Sequence, residues 1–473
     1  MFRPGPRLLR HFGNDPHANH NLRHSIYDGM AYSVMTGGGE TYFTPFALFL
    51  KATAGQIAML STLPPLIGSL AQLLSVWLDH KSGRRKPVIL SGAWLQALIW
   101  LPLIGLIGFA DARPVLPLFM VLTLYYAGGH LTTPCWIRLM GDIVPERRRG
   151  RYFAYRTRLV AVFSLTALIS AGAILHFFDG QGLAWAGFAS IFTIACCARL
   201  ISIHQLRQMQ EPVMHHAAVD SSLKVLQVLQ HGPALWFTLF FVLMQMAVCI
   251  AAPFFAVYML RDLQFSYLQF TANTGTAVLI QFVTLNRWGR IGDVFGNRII
   301  LYITAMLVPM LPMLWVVSTN FWYLITIQVL SGLAWGGFNL SSGNLLLDLV
   351  PAARRTVYVA FHNVFAACGV FLGGSIGVLL VGILPQRHTW FGDSGISSPL
   401  LNIFLISTAV RYLIVVVFLR KVKEQRKVRR PTRSDQHIYR LSRFSAFMGL
   451  SYEPVTTAPR EQQRGASDSG SPL

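Results

Sequence analysis

A single carboxylate lies in an uncharged stretch near the start of the chain. Residues 35–43 read MTGGGETYF, and Glu40 is the acid among them. Because loss of water disfavours its charged form, a buried carboxylate can exchange protons in the physiological range, and it can also bind a cationic or hydroxylated solute. The alternative is a structural group, neutral or bonded across helices, with His130 as its candidate partner.

Other polar and aromatic residues in apolar segments could line a cavity together with Glu40. His130 is a second candidate for proton exchange, since an imidazole can take up or release a proton near neutral pH. Taken singly, such side chains are typical of hydrogen bonding between helices, but as a set they predict a roomy, mostly neutral site edged by aromatic rings. The candidates for a substrate cavity are Thr36, Thr132, Trp136, Gln245, Asn273, Trp335, Asn339, His362 and Asn363.

The sequence offers little for other chemistries. It contains no Gly-x-x-x-x-Gly-Lys-Ser/Thr motif, which argues against ATP-driven transport by this chain alone, and no His-Glu-x-x-His motif. The five cysteines lack metal-ligand spacing and are interpreted as packing residues. We therefore predict that the protein is not an enzyme and that it has no catalytic residue, no metal site and no cofactor.

The composition identifies the setting of these residues as a membrane. The chain of 473 residues is 53% hydrophobic and 12% charged, with a mean hydropathy of +0.48, whereas about a quarter of the residues in a soluble domain are charged. Apolar runs of about 20 residues, enough to cross the hydrocarbon core, recur along the chain. Twelve transmembrane helices are predicted near residues 23–50, 56–78, 88–110, 114–138, 153–177, 183–203, 235–260, 266–286, 298–317, 321–346, 356–384 and 400–420.

The net charge of +21 follows the loops between these spans. Basic residues crowd the N-terminal tail, every second loop and the C-terminal tail, whereas the alternate loops offer only Lys51, Arg113, Arg261 and Arg387. This distribution indicates membrane topology and not a nucleic-acid partner. It predicts a multi-pass protein of a bacterial inner membrane, in contact with the lipid bilayer, with both termini and the central loop in the cytoplasm.

The predicted spans put Glu40 near the middle of the membrane. Counted back from Leu50, it lies roughly 15 Å below the outer end of the first span, where a charge is costly. On a continuous helix, Ser33, Thr36 and Glu40 share one polar face, which should face a cavity and not lipid. The three glycines at 37–39 weaken that helix and permit close packing or a local bend.

The two halves of the chain repeat one pattern. After the fourth span the sequence reads DIVPERRRGRYFAY from Asp142, and after the tenth it reads DLVPAARRTVYVAF from Asp348. Arg199 and Arg411 also correspond, and this duplication favours a scaffold role, although either could face the pore. Alignment of Pro45-Phe46 with Pro253-Phe254 puts Val248 opposite Glu40, so the acid is asymmetric. The predicted organisation is a basic tail, a six-helix bundle, a central loop, a second bundle and a basic tail, at residues 1–21, 22–203, 204–234, 235–420 and 421–473.

A second repeated motif lies between spans two and three of each half. The second copy has Gly289, Asp293, Gly296 and Arg298 in the order Gly-x-x-x-Asp-x-x-Gly-x-Arg. In this motif and in its twelve-span, duplicated layout, the chain resembles the major facilitator superfamily over roughly residues 22–420. The first copy departs from the family pattern, with Val76 and His80 at the Gly and Asp positions. The predicted gate motif comprises Asp79, Gly83, Arg85, Gly289, Asp293, Gly296, Arg298, Asp142 and Asp348, of which the last two could equally be ordinary helix-end residues.

The resemblance implies an all-α membrane protein whose twelve helices form two pseudo-symmetric six-helix bundles. It implies a monomeric secondary active transporter that moves a small-molecule substrate by alternating access, with protons as the expected coupling ion and Glu40 as their expected carrier. Two alternatives stay open: a non-transporting membrane component of the same fold that binds lipid, pigment or a protein partner, and an uncoupled uniporter.

Overall fold

A computed structural model describes seven ranges of the chain: residues 16–82, 84–112, 114–144, 149–211, 232–350, 355–389 and 397–422. The predicted tails fall mostly outside these ranges, as does most of the central loop. Within them, α1 begins at Pro16, inside the predicted N-terminal tail, and α7 ends at Gln208, inside the predicted central loop. The five-part domain division stays a prediction.

Both halves are built from long helices joined by short connections. The first half contains α1 Pro16–Gly38, α2 Phe43–Phe49, α3 Ala54–Ser82, α4 Arg85–Ile107, α5 Val115–Ile143, α6 Arg149–Asp179 and α7 Ala184–Gln208. The second half contains α8 Gly232–Cys249, α9 Ala252–Val257, α10 Tyr267–Phe295, α11 Asn297–Leu307, α12 Met310–Leu314, α13 Phe321–Asp348, α14 Arg355–Ile383 and α15 Leu400–Phe418. Two short strands, β1 Arg387–His388 and β2 Ser397–Ser398, pair antiparallel between the last two long helices.

These helices make twelve crossings in two bundles of six, which confirms the predicted fold class. Helix α1 with α2 forms the first crossing, α8 with α9 the seventh, and α11 with α12 the ninth, and every other helix is one crossing. Ten segments in the described part of the chain are long and apolar enough to span a membrane by length and composition. The other two crossings, α1 with α2 and α10, carry more polar and charged residues.

The first crossing of each half is interrupted at an equivalent point. Pro45 and Pro253 cannot donate the backbone hydrogen bond to the residue four positions earlier, which weakens a continuous α-helix at both sites. In the first half, a 3₁₀ turn at Glu40–Tyr42 separates α1 from α2. In the second half, α8 ends at Cys249 and α9 begins at Ala252. Glu40 therefore lies in a helix break and not on a continuous helical face.

Glycines before the first break allow close packing on neighbouring helices. A Cβ atom on Gly37 would lie 2.3 Å from the Ser164 carbonyl oxygen, and one on Gly39 would lie 2.5 Å from the Trp100 ring. Both distances are too short for a side chain to be tolerated without movement. Beyond the break, Phe43 packs edge-on against Tyr125, with ring centroids 5.1 Å apart. The glycine run thus provides both the close packing and the bend that the sequence permits.

The two bundles meet through α3 with α14 and α6 with α10. We call the side of the membrane where α1 begins and α15 ends the near side, and the opposite side the far side. The Tyr42 hydroxyl donates to the Leu168 carbonyl at 2.8 Å and lies 2.8 Å from the Thr271 hydroxyl of the other bundle. Gly172 packs against the same Thr271. Both contacts join the bundles in the far half of the membrane.

Gly172→Ala tests this inter-bundle contact. The added Cβ would lie 2.0 Å from the Thr271 hydroxyl oxygen, and overpacking of this kind typically costs about 1–3 kcal/mol. We expect a lower melting temperature for the purified protein in detergent. Gly105→Ala is the matched control, since a Cβ there would meet no atom within 4 Å. Equal melting temperatures for the two variants would contradict the packing described here.

Candidate functional site

Glu40 is hydrogen-bonded by a tyrosine and not by the predicted histidine. The Tyr125 hydroxyl of α5 donates to Glu40 Oε2 at 3.0 Å, and Tyr32 and Tyr126 also interact with this carboxyl electrostatically. In the described ranges no lysine, arginine or histidine forms an ion pair with Glu40. The carboxyl is half-buried and surrounded by phenols.

The suggested pairing of Glu40 with His130 is wrong for a geometric reason. Tyr125 and His130 are five positions apart on α5, which separates their side chains by roughly 140° around the helix. His130 instead faces α3, where Gln72 Nε2 donates to its Nδ1 at 2.9 Å. The proton-exchange role of each group stays a prediction, but they do not form one unit.

The polar face predicted for the first span is also not continuous. The Ser33 hydroxyl donates to the Met30 carbonyl at 2.7 Å, and the Thr36 hydroxyl donates to the Ser33 carbonyl at 3.2 Å. These hydroxyls therefore satisfy their own helix, and the helix break turns Glu40 away from their face. Thr36 is half-buried beside the break.

A cluster of buried charges lies nearer the start of α1, at a site that sequence reasoning missed. Asp28 Oδ2 is 3.6 Å from Arg156 Nη2, and the Ser202 hydroxyl donates to Asp28 Oδ1 at 2.7 Å. Arg199 donates from Nη1 to the Ser202 hydroxyl at 2.9 Å and from Nη2 to Gln96 Oε1 at 2.7 Å. Asp28 and Arg199 are 4% and 2% exposed. Four helices, α1, α4, α6 and α7, are linked by these bonds.

Two aromatic rings support the arginines of this cluster. The Arg156 guanidinium lies 4.4 Å from the centroid of the Trp136 ring, and the Arg199 guanidinium lies 5.0 Å from that of Tyr32. Such cation–π contacts are favourable where water is excluded. Tyr32 interacts electrostatically with Asp28 as well as with Glu40, so it lies between the charged cluster and the helix break.

The cluster lines a cavity of about 220 Å³ in the first bundle. We call it the Asp28 cavity. Of the predicted cavity residues, Thr132 and Trp136 line it, whereas Glu40 does not. The expectation of a mostly neutral site is therefore wrong for this cavity. Its walls are formed by Asp28, Gly29, Tyr32, Gln96, Gly129, Thr132, Thr133, Trp136, Arg156, Val160, Arg199 and Leu206.

The remaining cavity candidates lie in the second bundle and do not line the Asp28 cavity. Asn273 is buried and accepts a 2.6 Å bond from Gln328, while the buried Gln245 Oε1 has no hydrogen-bond partner among the described residues. His362 Nδ1 lies 3.2 Å from the Thr238 hydroxyl. Trp335 packs edge-on against Phe338, and Asn339 and Asn363 are exposed.

Arg199 and Arg411 correspond in sequence but are bonded differently. Arg411 donates to two backbone carbonyls, those of Val308 at 3.1 Å and Val248 at 3.3 Å. Val248 is the residue aligned with Glu40, so Arg411 satisfies backbone at the helix break of the second bundle. Arg199 bonds side chains and lines a cavity. The scaffold interpretation fits the contacts of Arg411, and Arg199 departs from it.

The first copy of the gate motif forms an ion-pair network. Asp79 is ion-paired with Arg138 of α5, and Arg85 is ion-paired with Asp142. Arg85 Nε also lies 3.8 Å from Asp79 Oδ1, and the two side chains are 7% and 3% exposed. Asp79 lies one residue before the Asp position of the family motif, which His80 occupies. It still forms an ion pair between helices, because its partner Arg138 comes from α5. Gly83 lies outside the described residues.

The second copy matches the family pattern better, and the ion pairs of the gate motif found within the described ranges belong to the first copy. Gly296 joins α10 to α11 with a φ of +89°, a conformation that favours glycine. Asp293 is exposed and forms no ion pair with any residue in the described ranges. Asp348 accepts a long 3.5 Å bond from Asn297, and Arg298 lies over the Tyr302 ring. Gly289 has open space around it.

One serine occurs in the spacing of a hydrolase nucleophile motif, Gly-x-Ser-x-Gly, at residues 373–377. Ser375 lies inside α14, and its hydroxyl donates to the Phe371 carbonyl at 2.9 Å. The motif requires a sharp strand-to-helix turn that exposes the hydroxyl. A serine bonded within a continuous helix does not provide that geometry.

The duplicated architecture corresponds to a known family. The sequence model of the Major Facilitator Superfamily matches residues 30–255 and again residues 235–459. The chain belongs to the Major Facilitator Superfamily. It is therefore an integral, multi-pass membrane protein of a transporter family and not an enzyme.

Curated relatives match short parts of this superfamily member. The vacuolar membrane amino acid uptake transporter fnx2 of Schizosaccharomyces pombe is 29% identical over 131 residues, covering 28% of this chain and 22% of that protein. The low-affinity glucose transporter HXT1 of Saccharomyces cerevisiae is 31% identical over 85 residues, covering 18% of this chain and 15% of that protein. The matches span less than a quarter of these relatives' length.

Solved structures share the fold over most of the chain. The nucleoside transporter NupG has a TM-score of 0.63 at 13% identity, covering 86% of this chain and 100% of that chain. A bacterial homologue of the iron transporter ferroportin, in an inward-facing state, has a TM-score of 0.62 at 17% identity, covering 85% and 98%. In an outward-facing state with soaked iron, the TM-score is 0.56 at 16% identity, covering 85% and 99%.

Asp79→Asn and Asp293→Asn provide a matched test of the two gate-motif copies. Removing the Asp79 charge breaks its ion pair with Arg138, while Arg85 keeps Asp142 as a partner, and a hydrogen bond to a charged group typically contributes about 1.5–3 kcal/mol to stability. The exposed Asp293 should tolerate the same change within about 0.5 kcal/mol. We expect a marked fall in melting temperature for Asp79→Asn only. A larger effect of Asp293→Asn would contradict the network described here.

Proposed function

We propose that the protein is a secondary active transporter that moves a small solute by alternating access and couples this movement to protons. The observation that carries the proposal is Glu40: a carboxyl in a helix break deep in the first bundle, bonded by the Tyr125 hydroxyl at 3.0 Å. The amino acid, glucose and nucleoside transporters among its relatives support solute transport.

The inter-bundle contacts support alternating access. Tyr42, Gly172 and Thr271 hold the bundles together on the far side, and a two-bundle transporter must part such contacts on one side while it forms others on the opposite side. Because these contacts are closed on the far side, they support a state that is open toward the near side.

The charge distribution of the loops supports cytoplasmic termini. The near side carries the basic loops, so the positive-inside rule assigns it to the cytoplasm. Glu40 and the Asp28 cavity then lie on the path between the two compartments. A bacterial inner membrane stays the predicted location, with the yeast vacuolar relative as the alternative setting. A monomer is proposed as the transporting unit, since each chain holds both bundles.

Glu40 is the proposed proton carrier because its charge is less well compensated than that of Asp28. The titratable groups that face it are Tyr125 and Tyr126 from α5 and Tyr32 from α1. Asp28, in contrast, has Arg156 at 3.6 Å. A carboxyl without a nearby cation is stable in the membrane interior when it is protonated, and a phenol can bond either form.

The ion-pair network of Asp79, Arg85, Arg138 and Asp142 weakens the alternative of a non-transporting component. The departure of the first copy from the family pattern, with Val76 and His80 at the Gly and Asp positions, favours that alternative. The network provides buried charge contacts at the near side, where a gate must break and reform contacts. An uncoupled uniporter is the alternative that the next experiment separates.

Glu40→Gln in proteoliposomes tests proton coupling. Radiolabelled amino acids, glucose, nucleosides and organic acids are screened first for exchange between equal internal and external solute concentrations. The variant should keep this exchange but lose accumulation driven by a pH gradient, because an amide cannot carry a proton. Asp179→Asn, which alters an exposed acid at the end of α6, should retain both activities.

The outcomes separate the open alternatives. Wild-type exchange without any response to a pH gradient would indicate a uniporter. Gradient-driven accumulation by Glu40→Gln at the wild-type rate would exclude Glu40 as the carrier. Absence of exchange for every solute, in protein that is folded by size-exclusion chromatography, would favour the non-transporting component.

A further inference from the structure

The Asp28 cavity has an excess of positive charge. Its lining includes two guanidinium groups, Arg156 and Arg199, and one carboxylate, Asp28, which gives a formal charge of +2 − 1 = +1. Asp28 is the acidic residue of this lining, and Glu40 does not line the cavity. An uncompensated charge in the membrane interior is costly, so this arrangement is best stabilised by an added anion.

The cavity also retains unused hydrogen-bond donors. Each terminal nitrogen of the Arg199 guanidinium carries two hydrogens, and each donates one of them in the bonds described above. Its two terminal nitrogens are already bonded to Ser202 and Gln96, which fixes the plane of the guanidinium. Arg156 is held by the Ser25 carbonyl at 3.1 Å, and its 3.6 Å distance to Asp28 is too long for a good hydrogen bond. Both arginines can therefore donate hydrogen bonds to an additional acceptor.

The shape and remaining walls of the cavity limit that partner. A volume of about 220 Å³ admits a small organic molecule. Val160, Leu206 and the Trp136 ring offer apolar contacts. The Thr132 and Thr133 hydroxyls donate to the Gly128 and Gly129 carbonyls, so each can accept a hydrogen bond from the solute. A planar carboxylate matches the donor geometry of a guanidinium better than a spherical anion does. A cation would face two arginines, and a neutral solute would leave the excess charge in place.

We propose that the Asp28 cavity is the solute-binding site and that its solute is a small organic monocarboxylate, whose carboxylate binds Arg199 with help from Arg156. This inference rests on the proposed transport function. Asp28 keeps the second arginine in place, and the bonds to Ser202 and Gln96 orient the first. The apolar body of the solute lies against Val160, Leu206 and Trp136.

Equilibrium binding to the purified full-length protein tests the charge requirement without requiring transport. The probes are lactate and benzoate, their uncharged amides lactamide and benzamide, and the zwitterions alanine and phenylalanine, measured by isothermal titration at neutral pH. At least one carboxylate should bind, and its amide should bind at least about tenfold more weakly, since a charge-assisted bond is lost. Equal binding of acid and amide, or binding of the zwitterions alone, would overturn the monocarboxylate assignment.

Two variants on α6 test the location of the site. Val160 is half-buried and lines the cavity, whereas Val162 is 46% exposed and does not. Val160→Phe should fill the cavity and abolish carboxylate binding, and Val162→Phe should leave the Kd unchanged. The two substitutions add the same ring to the same helix, and both leave the charges in place. Unchanged binding by Val160→Phe would overturn the location.

Arg199→Lys separates the guanidinium from its charge. It keeps the positive charge but removes Nε and the planar donor pair, so the Kd for the bound carboxylate should rise by about tenfold or more. If this variant does not fold, the Val160 and Val162 pair still decides the location. An unchanged Kd in folded Arg199→Lys would overturn the role of Arg199.

Binding and transport assays together distinguish failure of the proposed binding site from failure of the proposed transport function. Carboxylate binding without uptake of any solute would support this site and count against the proposed transport function. Gradient-driven uptake of solutes that lack a carboxylate, unaffected by Val160→Phe, would overturn the site and leave the transport function standing.

Discussion

The absence of water from the bilayer core is the constraint on which this structure depends. Every backbone group and every charge inside the membrane must find its partner within the protein. The first crossing of each bundle is interrupted near a proline, and each break exposes groups that need such partners. In the second bundle Arg411 donates to the carbonyls of Val248 and Val308. In the first bundle the break instead holds Glu40, bonded by Tyr125.

Corresponding arginines in the two bundles therefore have different hydrogen-bond partners. Arg411 is bonded to backbone on neighbouring helices and leaves little capacity for a ligand. Arg199, its counterpart, is bonded to the side chains of Ser202 and Gln96 and lines a cavity. The excess positive charge of the Asp28 cavity and the Glu40 carboxyl both lie in the first bundle. The groups on which the proposed transport function rests therefore lie in the first bundle, whereas Arg411 in the second bundle bonds backbone carbonyls.

Much of the architecture could be predicted from local patterns in the sequence. Apolar runs gave the twelve crossings, and the repeats after Asp142 and Asp348 gave the two bundles, because both properties are encoded in consecutive residues. Pairing between helices is not encoded in that way. Asp79 appeared misplaced by one residue, yet its partner Arg138 comes from α5. The sequence suggested His130 as a hydrogen-bond partner of Glu40, but His130 faces α3 and is bonded by Gln72.

The Asp28 cavity was missed for a related reason. A predicted span beginning near residue 23 makes Asp28 an ordinary residue of the first helical turns. Because α1 begins at Pro16, Asp28 is in fact roughly 18 Å along that helix. Its partners Arg156 and Ser202 are more than a hundred residues away in sequence. The available signal was the spacing of Arg199 and Ser202, three residues apart on one helical face.

The short turn at Glu40–Tyr42 has a mechanical consequence. Glu40 begins this 3₁₀ turn and Tyr42 ends it, while the Tyr42 hydroxyl bonds Leu168 of its own bundle and lies beside Thr271 of the other. A short 3₁₀ stretch within a helix often marks a hinge. A movement of this turn would displace both the Glu40 carboxyl and the Tyr42 hydroxyl, which links the acid to the contact between the bundles.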